Sequence, residues 1–233
     1  MMMKSKDEIT LTIDGETLSS PKDVTILQLM ERIGKPAPVI CYHSATTPEG
    51  ICRQCVVEIE GWRTLVPSCV TRVSEGMVIH TESERVIRTR RTILEMLNAS
   101  VDLSESADII SQMEAYNADP ERFPGAKSRA QDTLDDNPFY VRDYEKCLLC
   151  WRCVQACGDD MQYTYALSVG GRGFESRIST FFEAPIPETT CVFCGNCVAV
   201  CPTNALRSKT EYFLEQGLDY DQIRIEKRKA RKG

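Results

Sequence analysis

The sequence has very few histidines, no long apolar run and no secretion signal. It contains 2 His against 12 Cys in 233 residues. No apolar run approaches the roughly 20 residues that cross a bilayer. The opening, MMMKSKDE, lacks the apolar core of a signal peptide. These absences predict a protein that is not inserted in a membrane and that lies in the cytoplasm, where cysteines stay reduced.

Nucleic-acid binding and nucleotide binding also lack their usual signals. The formal net charge is −6, whereas surfaces that bind phosphate backbones need an excess of Lys and Arg. We interpret the one basic stretch, 224–232, as a solvated or partner-contacting terminus. The sequence GGRG at 170–173 lacks the full G-x-G-x-x-G of a dinucleotide loop, so we predict a turn there.

The twelve cysteines fall into three groups of four with none left over. The two C-terminal groups each have the spacing C-x2-C-x2-C-x3-C. This spacing is typical of a two-cluster ferredoxin, in which three thiols of a tight loop reach one [4Fe–4S] cluster and the fourth reaches the other. The predicted ligands are Cys147, Cys150, Cys153 and Cys201 for cluster A, and Cys191, Cys194, Cys197 and Cys157 for cluster B.

Zinc and disulfides fit these two groups poorly. Structural zinc takes four ligands, usually as two C-x2-C pairs or as a mixture with His, and neither His lies near the two runs. Three thiols separated by two residues are too close to pair independently. Iron–sulfur ligation is therefore the predicted chemistry.

The N-terminal third is predicted to be a small β-rich domain with a third metal centre. Alternating apolar and polar residues predict a strand at 8–13, and a return strand is predicted at 16–19. Apolar residues at helical spacing predict a helix at 25–32, with Gly34 as its C-cap. Strands are predicted at 56–60, 62–66 and 77–80, which together give a β-grasp order.

The third group of cysteines lies on this domain with the spacing C-x10-C-x2-C-x13-C. We predict that Cys41, Cys52, Cys55 and Cys69 hold a [2Fe–2S] cluster, with a structural zinc site as the alternative. His43 lies two residues from Cys41, but a Rieske centre needs two His on one iron. We interpret His43 as a surface or neighbouring residue.

This spacing on a β-grasp resembles the N-terminal domain of the large iron–sulfur subunit of complex I and its relatives. Those relatives include NAD-reducing hydrogenases, iron-only hydrogenases and NAD-dependent formate dehydrogenases. The sequences NPFYVRDYEKC and GFESRISTFFEAPIPETTCVFCGNCVAVCPTNAL extend the resemblance over the C-terminal runs. The resemblance implies an α+β protein with an N-terminal β-grasp domain (1–80), a two-helix middle segment (81–125) and a bacterial-type 2[4Fe–4S] ferredoxin domain (126–233).

One departure from the family lies in the middle segment. Its relatives follow an RRTILEML-like sequence with a His-x3-Cys-x2-Cys-x5-Cys segment that binds a further cluster. Here RRTILEML is present, but neither Cys nor His occurs between His80 and Cys147. We predict two helices, 84–97 and 104–116, a capping box at Thr81, and a partner surface or a packed remnant at 98–106.

The length and layout most resemble the small iron–sulfur subunit of soluble NAD-linked hydrogenases, or its equivalent in bifurcating formate dehydrogenases and transhydrogenases. The resemblance implies a non-catalytic subunit of a hetero-oligomer. It would relay single electrons between a flavin- and NAD(P)-binding subunit and a second redox partner. The alternatives are a freestanding multi-cluster ferredoxin and a zinc-stapled interaction module.

Overall fold

The computed structural model describes residues 8–229. The opening residues 1–7 and the end of the predicted basic tail, 230–232, lie outside the described range. No helix within the described range has the length and apolar composition needed to cross a bilayer. The described residues form two compact units, the first made of 8–42, 48–96 and 111–122, and the second of 43–47, 97–110 and 123–229.

The first unit is a mixed five-stranded sheet with one helix packed on it. Its elements are β1 (Glu8–Ile13), β2 (Glu16–Pro21), α1 (Ile26–Arg32), β3 (Val56–Ile59), β4 (Val66–Pro67) and β5 (Val78–His80). The strand order is β2-β1-β5-β3-β4, with β1 parallel to β5 and the other neighbours antiparallel. The predicted β-grasp architecture is confirmed.

Local sequence signals account for the first hairpin and the helix. Asp14 and Gly15 have φ values of 48° and 84°, the positive values that a tight hairpin turn requires. The Thr25 hydroxyl accepts a hydrogen bond from the Gln28 amide, and the Gln28 side chain accepts one from the Thr25 amide, which closes a capping box. The apolar faces of sheet and helix then share one core, formed by Leu11, Ile13, Ile26, Leu27, Leu29, Met30, Val57, Ile59 and Ile79.

Two predictions here are wrong in detail. The strand predicted at 62–66 is shorter in the structure. Only β4, Val66–Pro67, is extended there, and it pairs with Val56 and Val57 of β3. The C-cap of α1 is Ile33, and Gly34 lies one position beyond it with a φ of 73°. A glycine just past the C-cap relieves the strain of this left-handed conformation.

The capping box predicted at Thr81 is also wrong. The Thr81 amide and hydroxyl both donate to the Asp14 carboxylate, at 2.8 and 2.7 Å. The middle helix α2 (Glu84–Asn98) is capped instead by Ser83, whose hydroxyl accepts a hydrogen bond from the Val86 amide at 3.3 Å. A contact with a residue far along the chain has taken Thr81 away from the helix.

The predicted pair of middle helices is present as α2 and α3 (Ala107–Ala115), with α3 starting three residues later than predicted. Within the first unit, α2 buries Val86 and Leu94 and also the guanidinium of Arg90. The two terminal nitrogens of Arg90 donate hydrogen bonds to Glu82, the Tyr116 hydroxyl and the Val56 carbonyl. The predicted segment 81–125 contributes to both units, and the predicted domain bounds stay a prediction.

The second unit consists of short elements that position loops. They are β6 (Tyr140–Arg142), α4 (Arg152–Cys157), β7 (Ser168–Gly170), β8 (Arg177–Ser179), α5 (Asn196–Ala199), β9 (Leu206–Ser208), α6 (Lys209–Glu215) and α7 (Tyr220–Lys229). Strand β6 pairs with β9, and β7 pairs with β8, both antiparallel. The basic tail is helical as far as 229, with Ile223 buried.

Strands β7 and β8 flank the sequence GGRG, where a turn is predicted. Between them Gly171 has a φ of 70°, and a Cβ there would lie 2.4 Å from the Glu175 carbonyl oxygen. Only glycine fits that approach without displacement of the backbone. The sequence GGRG is therefore part of a hairpin connection, as predicted.

Candidate metal centres

The structure brings the four N-terminal cysteines together on the loops between α1 and β5. The backbone amide of Cys41 lies 3.4 Å from the Cys52 sulfur, and the Cys52 amide lies 3.5 Å from the Cys41 sulfur. The thiols of Cys55 and Cys69 form a second hydrogen-bonded pair. The two pairs are close enough to perturb each other's ionisation, so the four sulfurs form one site.

The ionisation of these thiols reflects the pairing. The hydrogen bond between the Cys55 and Cys69 thiols lowers the pKa of Cys55 and raises that of Cys69. The hydrogen bond with Cys41, followed by burial, raises the pKa of Cys52. Four thiols in this space cannot all ionise without a compensating cation, and iron bound as a cluster supplies that charge.

Two residues shape the loop that carries Cys52. Gly50 has a φ of 63°, and a Cβ there would lie 3.3 Å from both Pro67 and Val70. Arg53 also has a positive φ, 62°. The Gln54 amide points at the Cys52 sulfur from 3.4 Å, so the loop wraps its backbone donors around a thiol.

The eight C-terminal cysteines line two separate cavities in the second unit, and we call these cavity A and cavity B. The thiols of cavity A are Cys147, Cys150, Cys153 and Cys201. The thiols of cavity B are Cys157, Cys191, Cys194 and Cys197. The grouping is the one that the crossing rule for two-cluster ferredoxins predicts, and the assignment of individual ligands stays a prediction.

Helix α4 produces the crossing on the first run. Cys153 and Cys157 lie four residues apart on it, yet Cys153 faces cavity A and Cys157 faces cavity B. The second run repeats this arrangement, because Cys197 lies in α5 and lines cavity B while Cys201 follows it and lines cavity A. Each loop therefore contributes three thiols to one cavity and one thiol to the other.

Burial controls the ionisation of three of these thiols. It raises the pKa of Cys150 and of Cys197 to about 12, and it raises that of Cys153 well above its usual value. If they were free, these three thiols would stay protonated at neutral pH. Iron must therefore displace the protons when a cluster binds, as metals do at thiolate sites.

Backbone amides point at the sulfurs in both cavities. In cavity A the Leu149 and Arg152 amides hydrogen-bond to the sulfurs of Cys147 and Cys150, and two further amides do so in cavity B. The Ala166 amide lies 3.2 Å from the Cys157 sulfur, and the Phe193 amide lies 3.4 Å from the Cys191 sulfur. Such N–H donors stabilise thiolate ligands and cluster charge. The loops achieve this with left-handed residues between the cysteines, which are Leu149, Trp151, Phe193 and Gly195. The donor set and its surroundings therefore fit [4Fe–4S] clusters.

Sequence reasoning missed two tyrosines that complete the cavity walls. Tyr140 lines cavity B and Tyr144 lines cavity A. Their exposed fractions are 7% and 2%, and neither hydroxyl has a hydrogen-bond partner among the described residues. The sequence feature that could have indicated these residues is the pair of tyrosines four residues apart, just before the first cysteine run.

Two aromatic residues inside the cysteine loops differ in their surroundings. Trp151 lines cavity A and is 41% exposed, so it is not a core residue. Phe193 packs against Phe139 and Tyr140, at ring-centroid distances of 4.9 and 6.1 Å. His43 belongs to the second unit, where its Nδ1 accepts a hydrogen bond from the Ala45 amide.

The segment 98–106, predicted to be a partner surface or a packed remnant, is packed within the second unit. Val101, Leu103 and Ser106 are buried. Asp102 and Glu105 reach Lys146, the residue before the first cysteine of cavity A, at 3.3 and 3.4 Å. Glu105 also pairs with Arg207 at 2.9 Å, so acid–base pairs anchor the segment.

Two protein-family profiles match the chain. A 2Fe-2S iron-sulfur cluster binding domain covers residues 6–84, and a 4Fe-4S dicluster domain covers 146–205. The predicted cofactors, one [2Fe–2S] and two [4Fe–4S] clusters, are confirmed by these matches.

Individual relatives agree with the family profiles. The NADP-reducing hydrogenase subunit HndD of Solidesulfovibrio fructosivorans is 36% identical over 210 residues, which cover 85% of this chain and 36% of that protein. The mitochondrial 78 kDa subunit of the NADH-ubiquinone oxidoreductase of Candida albicans is 31% identical over 214 residues, which cover 88% of this chain and 29% of that protein. The chain thus spans only about a third of the length of these relatives.

One solved structure is similar to this chain over most of the length of both chains. A chain in the crystal structure of an NAD+-reducing [NiFe]-hydrogenase in the H2-reduced state has a TM-score of 0.77 and 28% identity to this chain. The match covers 86% of this chain and 87% of that one.

Proposed function

We propose that the chain is an electron-transfer subunit of a multisubunit NAD(P)-linked oxidoreductase. The proposal is supported by its similarity to iron–sulfur subunits of NAD(P)-linked hydrogenases and of complex I. The bound clusters supply reversible one-electron chemistry. The observation that carries the proposal is the gathering of all twelve cysteines into three four-thiol sites. The residues that would hold the clusters are Cys41, Cys52, Cys55 and Cys69 for [2Fe–2S], Cys147, Cys150, Cys153 and Cys201 for [4Fe–4S] A, and Cys191, Cys194, Cys197 and Cys157 for [4Fe–4S] B.

The partner in this proposal is a subunit that binds flavin and NAD(P), within a hetero-oligomer of hydrogenase, formate dehydrogenase or transhydrogenase type. The described residues include no dinucleotide loop, since GGRG is a hairpin connection. In this proposal the two-electron chemistry with a nicotinamide is assigned to the partner subunit. This chain contributes the spacing, burial and hydrogen bonding of one-electron sites.

A basic recess lies beside the [2Fe–2S] thiols. We assign it as the surface of this chain that binds an acidic surface of the partner. The recess has a volume of about 390 Å³ and is lined by three arginines, Arg53, Arg85 and Arg88. Arg85 pairs with Glu58 at 2.7 Å, and Arg88 lies 3.9 Å from Glu84. Arg53 has no carboxylate partner within residues 8–229.

The position of Arg53 links this recess to the cluster. Arg53 lies between two thiols of the site, Cys52 and Cys55, and is exposed. Left-handed residues also occur in the loops of cavities A and B, but Leu149, Trp151 and Phe193 carry no charge. A free guanidinium at this place, in a chain of net charge −6, favours a carboxylate-rich partner.

In the second unit, cavity B lies nearest to solvent at Cys194. Cys194 is the one exposed thiol of the twelve, and its neighbour Val192 is 57% exposed. We assign this apolar rim to electron exchange with the second redox partner. We also place the protein in the cytoplasm, because twelve cysteines that form no disulfide are typical of a reducing compartment.

Iron analysis of the chain, purified without oxygen, tests the cluster content. About ten iron atoms per chain are expected from one [2Fe–2S] and two [4Fe–4S] clusters, with the brown absorption of iron–sulfur proteins. About fourteen iron atoms, or colourless protein that contains zinc, would contradict the proposal.

Native mass spectrometry of the complex, isolated from the source cells through a tag on this chain, tests the partner. A stable assembly with a subunit that carries flavin is the expected result. A brown monomer without a flavoprotein would instead identify a freestanding multi-cluster ferredoxin.

A further inference from the structure

Each of the two cavities contains one buried tyrosine hydroxyl whose hydrogen has no acceptor among the described residues. Tyr140 lies on β6 in the wall of cavity B, and Tyr144 follows β6 in the wall of cavity A. The same arrangement occurs at both cavities, although the two tyrosines lie only four residues apart. A buried hydroxyl without a partner costs free energy, so its occurrence twice at equivalent places calls for an acceptor.

The groups beside the two phenol oxygens are donors. Tyr140 has the Gly195 amide beside it, and a Cβ at Gly195 would lie 3.9 Å from the hydroxyl. Tyr144 has the Arg142 guanidinium beside it. Amide N–H and guanidinium groups cannot accept a hydrogen bond. The hydrogen of each hydroxyl must therefore find its acceptor elsewhere.

Sulfur is the acceptor that the cavity walls offer. Apart from the thiols and two threonines, the side chains that line the cavities are mostly apolar. The threonine hydroxyls lie beside the crossing cysteines, Thr164 at 3.4 Å from the Cys157 sulfur and Thr203 at 3.9 Å from the Cys201 sulfur. The two tyrosine hydroxyls are thus the buried polar groups of these walls whose hydrogen has no described acceptor, since Asn196, the remaining polar side chain that lines cavity B, is only half-buried.

We propose that the Tyr140 hydroxyl donates a hydrogen bond to sulfur of the cluster in cavity B, and the Tyr144 hydroxyl to sulfur of the cluster in cavity A. This inference rests on the proposed function, because it requires clusters in both cavities. The two residues are positioning residues: each holds a hydrogen at cluster sulfur and raises the reduction potential of that cluster. The physical reason is that a hydrogen bond to sulfur stabilises the more negative, reduced form.

The experiment is a redox titration of the intact iron-loaded chain, followed by electron paramagnetic resonance of both [4Fe–4S] signals. Tyr140→Phe is expected to shift the potential of cluster B to a more negative value and leave cluster A unchanged. Tyr144→Phe is expected to do the reverse. The matched control is Tyr220→Phe, the same change at a side chain that is 74% exposed and lines neither cavity.

A second measurement does not depend on removal of the hydroxyl. Replacement of the tyrosines by 3-fluorotyrosine keeps the ring and makes the hydroxyl a stronger donor, so the potentials are expected to shift in the positive direction. In addition, the Fe–S stretching bands in resonance Raman spectra are expected to shift between H2O and D2O, and to lose part of that shift in each Phe variant.

The outcomes separate this inference from the proposed function. Iron content near ten with both potentials unchanged in the Phe variants, and with no effect of fluorotyrosine, would overturn the hydrogen bonds and leave the function standing. Absence of iron from the wild-type chain would overturn the function itself. A shift of both potentials by either single Phe variant would show a general change of packing, and would also overturn the assignment.

Discussion

The ammonium of Lys146 lies 3.3 Å from a carboxylate oxygen of Asp102, and this contact joins the packed segment 98–106 to the start of the first cysteine run. Burial alone would lower the pKa of Lys146, but the hydrogen bond and charge of Asp143, with those of Asp102 and Glu105, outweigh it and raise the pKa. Lys146 is therefore the charge on which three carboxylates converge.

Replacement of this lysine is expected to destabilise the second unit more than replacement of its partner. Lys146→Met leaves the buried Asp143 without its cation and Glu105 with Arg207 alone, and is expected to cost roughly 3 kcal/mol. Asp102→Asn is expected to cost less than about 1 kcal/mol, because Asp102 is partly exposed and its charge is screened by water. Anaerobic urea unfolding at pH 7 measures both, and equal losses would contradict this account of the pairing.

The pH dependence of this contact follows from the direction of the two shifts. Hydrogen bonds from Ser104, and then Lys146, lower the pKa of Asp102, so its contribution is present at neutral pH and is lost as the pH falls through that depressed value. The pKa of Lys146 is raised, so its contribution is full below the unfolded value of about 10.4 and is lost only as the pH rises through the folded pKa. The effect of Asp102→Asn on the urea midpoint is thus expected to be constant between about pH 5 and 9, and a change within that range would exclude this pair as its cause.

The crossing of ligands between the two cysteine runs gives a prediction that runs against sequence order. Cys157→Ser is expected to alter the cluster held by Cys191, Cys194 and Cys197, because Cys157 lines cavity B. Electron paramagnetic resonance of the reduced protein measures the effect. Cys201→Ser is the matched variant and is expected to alter the other signal. Loss of the same signal in both variants would contradict the assignment.

The basic recess predicts a salt-dependent contact. Arg53→Gln removes a free charge between two cluster ligands and is expected to weaken assembly with the flavoprotein subunit about three- to tenfold at low salt, with a smaller effect at high salt. Native mass spectrometry or light scattering across a salt series measures this effect. The control is Arg172→Gln, which removes an exposed charge from the hairpin between β7 and β8, outside the recess. A loss of affinity that does not depend on salt would favour damage to the loop over lost charge.

The hairpin between β7 and β8 predicts a contrast between two glycines. Gly171→Ala is expected to cost about 2–4 kcal/mol, because a positive φ costs about 1 kcal/mol for alanine and the new Cβ would meet the Glu175 carbonyl oxygen at 2.4 Å. Gly15→Ala has a similar φ with nothing within 4 Å of the Cβ, so only the first cost applies. Urea midpoints measure both, and equal effects would show that the close approach relaxes at no cost.

The parts of the structure that sequence predicted are those that local spacing encodes. Cysteines three and four residues apart on a tight loop determine which sulfurs can share a cavity, and alternation in 8–13 determines a strand. Thr81 was mispredicted because the carboxylate that captures its hydroxyl, Asp14, lies 67 residues away. Tyr140 and Tyr144 were missed for the same reason, since their burial against the thiols depends on tertiary packing.

Helix α4 also has a consequence for how this region can change over evolutionary time. Cys153 and Cys157 lie one turn apart on it and face different cavities. One inserted residue between them would rotate Cys157 by roughly 100° and advance it by about 1.5 Å, so a single insertion would remove a ligand from the cluster of the other loop. Substitutions can accumulate on the solvent side of this turn, but its length is fixed by two metal sites at once. One turn of helix therefore fixes the positions of two thiols in two cavities, and insertions and deletions should be confined to the loops outside this turn.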